Sequence, residues 1–136
     1  MRGIKFRGKS LNTGEWLESM TISKGSIKRK KDDIFIEVYE NKWIGIDSKT
    51  LGEFTGLKDK YGKEIYEGDI VEFQLISKGV VNWNPKYCGF WIDFTDSEGK
   101  NRYSNFNVTF SDGVLNMCNT IAVIGNIYEN PELLNS

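Results

Sequence analysis

Residues 54–73, FTGLKDKYGKEIYEGDIVEF, combine tight-turn chemistry with apolar anchors and read as the entry to a small β-barrel. Asp59-Lys60-Tyr61-Gly62-Lys63 forms a polar turn in which Gly62 can take the positive φ that other residues resist. Ile65 and Tyr66 give an apolar step, Glu67-Gly68 turns again, and Asp69 leads into the strand-like run 70–76. There Val71, Phe73 and Leu75 alternate with Ile70, Glu72, Gln74 and Ile76, as in a sheet covered on one side. A carboxylate placed directly after a turn can accept backbone N–H groups from it, so Asp69 is expected to tie that turn.

The chain before this stretch also reads as β-structure. Ile4 and Phe6 alternate with Lys5 and Arg7, and Asn12-Thr13-Gly14 supplies a turn before Trp16 and Leu17, which predicts a first hairpin. Ile34, Ile36 and Val38 form one face of a strand, Glu40-Asn41-Lys42 breaks it, and 43–46 returns, which predicts a second. Between them, residues 24–33 contain a basic run without apolar periodicity and read as an exposed loop.

After the opening stretch, 80–83, 89–94, 106–110 and 121–125 are short apolar runs separated by turn signals. Such spacing belongs to a barrel or sandwich. Asn130-Pro131-Glu132-Leu133-Leu134 places an N-cap residue before a proline, so one turn of helix is expected at the end. The prediction is an all-β protein: an N-terminal β-hairpin region over 1–53 and a C-terminal SH3-like β-barrel over 54–136, sharing one core and closed by a short helical turn.

The 136 residues are 39% hydrophobic and 27% charged, within the range of a soluble globular domain. Net charge is −1, yet the ends differ. Residues 1–50 hold 11 Lys+Arg against 7 Asp+Glu, a net of +4, and residues 51–136 hold 7 against 12, a net of −5. Cys88 and Cys118 are far apart in sequence, outside any C-x-x-C spacing, and are expected to be buried or half-buried free thiols. No apolar run has the length of a signal peptide or membrane span, so a cytoplasmic location without membrane association is expected.

Read together, residues 54–59 (FTGLKD), 62–71 (GKEIYEGDIV) and 123–134 (VIGNIYENPELL) resemble the hallmarks of the phage and prophage YopX family, and the opening MRGIKFR is similar to that family's start. The resemblance spans nearly the whole chain and is least distinctive over 82–120. It implies a β-rich protein of a phage or prophage in the bacterial cytoplasm, oligomeric, without an assigned biochemical activity. No catalytic residue, metal ligand or cofactor is carried over.

The chain has no histidine, which removes the Ser–His and Cys–His nucleophile pairs, histidine-bearing zinc sites and the usual imidazole base. It also lacks a Walker loop and a G-x-G-x-x-G fingerprint. Carboxylate-only chemistry would fall to Glu64, Glu67 and Asp69, whose spacing turns explain equally well. No enzymatic activity and no cofactor are therefore expected.

Nucleic-acid binding, the alternative, would use the basic N-terminal half. Its candidates are Lys28, Arg29, Lys30 and Lys31, with Arg2, Lys5, Arg7 and Lys9 and the rings of Trp16 or Trp43. The first expectation is a self-associating binding protein, its partners a second copy of itself and a host or phage protein. The apolar tail Ile127, Tyr128, Leu133 and Leu134 must then pack either on its own domain or on another copy.

Overall fold

The computed structural model describes residues 4–24, 34–73, 77–85, 88–95, 101–105 and 121–135. Its regular elements are twelve β-strands and two 3-10 turns, with no α-helix among the described residues, so the protein is all-β. The chain divides into two compact units, 1–54 and 55–136.

In the first unit, β1 (Phe6–Lys9) pairs antiparallel with β2 (Trp16–Ser19), Lys9 opposite Trp16. The Ser10 hydroxyl accepts the Asn12 and Thr13 N–H groups, closing this first hairpin as its sequence predicts. β4 (Ile34–Tyr39) and β5 (Lys42–Ile46) form the second, turning at Asn41 with φ 58°. Asparagine is among the few residues that tolerate this conformation. Ile36 and Ile46 are fully or nearly fully buried, the apolar face expected of that strand pair.

Two strands of this unit were not anticipated. β3 (Ile22–Lys24) adds to the edge of β4, Ile22 opposite Ile36. β6 (Gly52–Lys58) begins beside β1, with Phe6 opposite Glu53, and runs on past the unit boundary at Phe54; from that residue it lies in the segment read from sequence as a turn-rich entry. Thr50 links the two regions: its Oγ1 donates to the Asp47 carbonyl at 2.6 Å and accepts the Lys9 N–H at 2.9 Å.

The second unit continues with β7 (Glu64–Tyr66), which pairs with β6, and a five-stranded sheet. That sheet has the order β11 (Asn101–Asn105), β10 (Gly89–Thr95), β9 (Ser77–Asn84), β8 (Asp69–Phe73), β12 (Ile121–Asn126), every pair antiparallel. No closed barrel forms among the described residues. The core consists of Ile65, Val71, Val81, Phe90, Ile92 and Ile121, with Leu57 and Val123 against it.

Ile70 and Val71 are both 0% exposed, so the start of β8 is covered on both faces rather than the one that its alternation implies. β8 lies inside the sheet, between β9 and β12, and the chain from the C-terminal end returns over it. Ile127 N–H donates to the Gly68 carbonyl at 3.0 Å, and the Tyr128 ring lies against Gly68. The terminal helical turn is a 3-10 turn, Pro131–Asn135, packed near β9. Asn130 precedes it, its Oδ1 accepting the Asn126 N–H at 3.3 Å and its carbonyl the Leu133 N–H at 3.1 Å.

The expected strand 106–110, the end of the run at 74–76, and Cys118 lie outside the described residues. Cys88 is exposed rather than buried, because it sits in the turn between β9 and β10, its Sγ donating to the Pro85 carbonyl.

Gly62 and Gly68 both hold positive φ, 82° and 91°. A Cβ on Gly62 would meet nothing within 4 Å, whereas one on Gly68 would come to 3.0 Å from the Tyr128 ring. Both alanine variants therefore carry the left-handed backbone penalty of about 1–2 kcal/mol, and Gly68→Ala carries a steric one as well. Denaturant unfolding should find Gly68→Ala the less stable by at least about 1 kcal/mol; equal midpoints would contradict this packing.

Candidate functional site

The residues singled out for chemistry fall into three groups, each built by a different piece of backbone. The first is the half-buried run of cations Lys5, Arg7 and Lys9, the last two on β1. Alternation along a strand places Lys5, Arg7 and Lys9 on one side, and pairing with β2 brings Trp16 beside them. The Arg7 guanidinium carbon lies 4.6 Å from the Trp16 ring centroid and the Lys9 ammonium 5.6 Å from it. Lys5 lies 5.1 Å from the Phe54 ring and 3.9 Å from a Glu18 carboxylate oxygen. Cations at these distances are attracted to the negative faces of the rings. Trp16 is thus half-buried beneath cations, while Trp43 is exposed at 39%.

Arg2 and the run Lys28, Arg29, Lys30 and Lys31 lie outside the described residues.

The carboxylates form the second group. Asp69 is 1% exposed, and its Oδ2 accepts the Tyr66 N–H at 2.8 Å across the Glu67-Gly68 turn, the tie that its position after the turn predicts. Glu64 and Glu67 are half-buried and already engaged with neighbouring groups. Among the described residues, no three Asp, Glu or Cys side chains converge as a metal site requires.

The third group was not recognised as a site from sequence. Asp59 is buried, and its two carboxylate oxygens accept three backbone N–H groups. Oδ1 takes Tyr61 and Lys63, each at 2.9 Å, and Oδ2 takes Val123 of β12, also at 2.9 Å. The turn is closed again by Asp59 N–H to the Lys63 carbonyl at 2.8 Å and Gly62 N–H to the Asp59 carbonyl at 3.0 Å. Lys60 N–H reaches the Ile121 carbonyl at 3.0 Å. Around this buried carboxylate, Lys58, Lys60, Tyr61 and Lys63 all point to solvent, Tyr61 at 78% exposure. The available signal was KDKYGK itself, three lysines and one tyrosine around a turn.

The apolar tail packs on its own unit. Ile127 and Tyr128 meet Gly68, and Leu133 is half-buried while Leu134 is 40% exposed.

These contacts join the two stretches that carry the family resemblance: residues 54–71 hold the tail through Asp59 and Gly68. A family model described as YopX protein matches residues 5–135. The chain belongs to the YopX family. YopX is associated with phages and prophages. Among solved structures, the chain is similar to the crystal structure of protein EF1440 from Enterococcus faecalis. The identity is 25% over 98% of this chain and 99% of that one, with a TM-score of 0.55. No curated protein matches the chain. The YopX hallmarks are, in this molecule, the residues that fasten the C-terminal segment to the turns flanking β7. No helix of the described residues is long and apolar enough to cross a membrane.

If Asp69 is a structural tie, Asp69→Ala strands the buried Tyr66 N–H, a loss of about 1–3 kcal/mol. Thermal and denaturant unfolding should register that loss; a variant as stable as wild type would return Asp69 to the list of groups free for chemistry.

Proposed function

We propose that this chain is a non-enzymatic accessory protein of a phage or prophage, acting by binding in the cytoplasm of its bacterial host and self-associating as a homo-oligomer. Family membership supports the phage association. The observation that carries the non-enzymatic reading is the use of the buried carboxylates. Asp59 and Asp69, the buried acidic groups among the described residues, are occupied by backbone N–H groups that fix turns. An acid held this way has no free geometry for proton transfer to a substrate.

Self-association is supported by the exposed apolar side chains of the first unit, Ile4, Leu11 and Met20, the last at 75% exposure. Exposed apolar side chains gain by being covered, and a second copy of the chain could cover them. The tail does not supply this argument, since it is used within its own unit. For the second unit we retain the SH3-like barrel as a proposal. The β6–β7 turn is bonded to β12 through Lys60 and Ile121, and Gly68 N–H donates to the Val81 carbonyl of β9 at 2.8 Å, contacts that curl the sheet toward closure.

A second reading, nucleic-acid binding by the basic N-terminal half, is favoured by the placement of Arg7 and Lys9 over the Trp16 ring; the run Lys28, Arg29, Lys30 and Lys31 belongs to the same half of the sequence. Sedimentation velocity of the full chain over a wide concentration range tests the first reading. A concentration-dependent shift to a discrete larger species is expected. Monomer alone at every concentration would remove the homo-oligomer.

A further inference from the structure

We infer that the turn spanning residues 58–63 is a docking tip for single-stranded nucleic acid, with Lys58, Lys60 and Lys63 on the phosphates and the Tyr61 ring stacked on a base. The inference rests on the reading of the chain as a binding protein, and it places the contact on the second unit rather than on the basic N-terminal half.

Three observations converge on this turn. The first is exposure. Tyr61 is 78% exposed and all three lysines are exposed, although a tyrosine ring in a small β-protein ordinarily gains by being covered. The second is rigidity. Hydrogen bonds from Tyr61, Lys63 and Val123 N–H to the Asp59 carboxylate, with the backbone bonds Asp59–Lys63, Gly62–Asp59 and Lys60–Ile121, hold a tip whose lysine and tyrosine side chains are exposed. A presenting loop fixed before binding loses little entropy when it binds. The third is charge. Residues 51–136 carry a net −5, and within that acidic stretch residues 58–63 hold three cations against one buried, hydrogen-bonded aspartate. The tip is a positive point on an acidic unit, so an anion is drawn to it specifically and repelled elsewhere.

The aromatic ring decides the kind of anion. The Lys60 ammonium lies 5.2 Å from the Tyr61 ring centroid, on one face, and the exposure of the ring leaves the other face available. An acidic peptide would satisfy the lysines and leave that face empty. A duplex would present phosphates and keep its bases stacked away from it. An unpaired strand supplies both phosphates for the lysines and a flat base for the ring, the combination found on single-strand platforms. With three cations on phosphates, the slope of log affinity against log salt is about −2.

The test is fluorescence anisotropy of a labelled oligothymidylate of about 12 nucleotides with the full chain, beginning at about 50 mM salt. Binding is expected, with a salt slope of about −2 that falls by about 0.7 for each of Lys58→Gln, Lys60→Gln and Lys63→Gln. Tyr61→Ala should weaken binding by about 5- to 150-fold, and Tyr61→Phe should restore it. All these side chains are exposed, so unchanged thermal unfolding will show that the variants are folded. Neutralising Lys28, Arg29, Lys30 and Lys31 should leave the effect of Tyr61→Ala intact. The inference is overturned by absence of binding at that salt, by Tyr61→Ala binding like wild type, or by binding lost only when residues 28–31 are neutralised. It is overturned equally if polyglutamate or a duplex competes as well as the single strand. Sedimentation reads self-association separately, so either can fail alone.

Discussion

The Asp59 carboxylate joins a turn to a strand 64 residues later in the chain, and the second unit depends on that bond. β12 is an edge strand, and the N–H of Val123 faces away from its partner β8. An edge left so would present unpaired backbone groups to solvent or to another chain. Asp59 Oδ2 satisfies that N–H while Lys60 N–H satisfies the Ile121 carbonyl, so the turn stands in for a further strand. Hydrogen bonds to a charged acceptor are among the stronger ones, about 1.5–3 kcal/mol each. The same segment is held at its other end by Gly68, which bonds to Val81 and Ile127 and makes room for Tyr128. Two short stretches remote in sequence thereby form one clasp around the core of Ile65, Val71, Val81, Phe90, Ile92 and Ile121.

Local chemistry made much of this legible. Alternation and turn residues located both N-terminal hairpins, β8, β10 and β12, and the position of Asp69 after a glycine turn announced its hydrogen bond to Tyr66. Four strands escaped notice, β3, β6, β7 and β11, and the first two show why. β3 is a three-residue edge whose partner is chosen by Ile36, and β6 contains Gly52 and Gly56, residues that read as turns unless the neighbouring strand is known. Burial of Ile70 was hidden for the same reason: β8 is flanked by β12, from the far end of the chain, with Ile70 opposite Gly125. The exposure of Cys88 follows from a turn, not from the hydrophobicity of a thiol. The role of Asp59 was readable only in part, since one oxygen serves its own turn and the other a strand 64 residues away.

This economy of carboxylates bears on function. A chain without histidine has few groups for acid–base work, and among the described residues the buried acids stabilise turns. What the clasp leaves outside is cationic and aromatic: Lys58, Lys60, Tyr61 and Lys63 around Asp59 in one unit, and Lys5, Arg7, Lys9 and Trp16 on β1 and β2 in the other. Both arrangements fit recognition better than turnover. They differ in mounting, since the first is built on a turn around a buried carboxylate and the second on the face of a strand pair.

The clasp is tested most directly by native-state hydrogen exchange of the Val123 amide in wild type and in Asp59→Ala. With its hydrogen bond to Oδ2 intact, Val123 should be protected in wild type. In the variant its exchange should rise together with that of Lys60, by about the 10- to 150-fold that loss of about 1.5–3 kcal/mol implies, while Ile36 in the first unit keeps its protection. Unchanged exchange at Val123 in the variant would contradict the account.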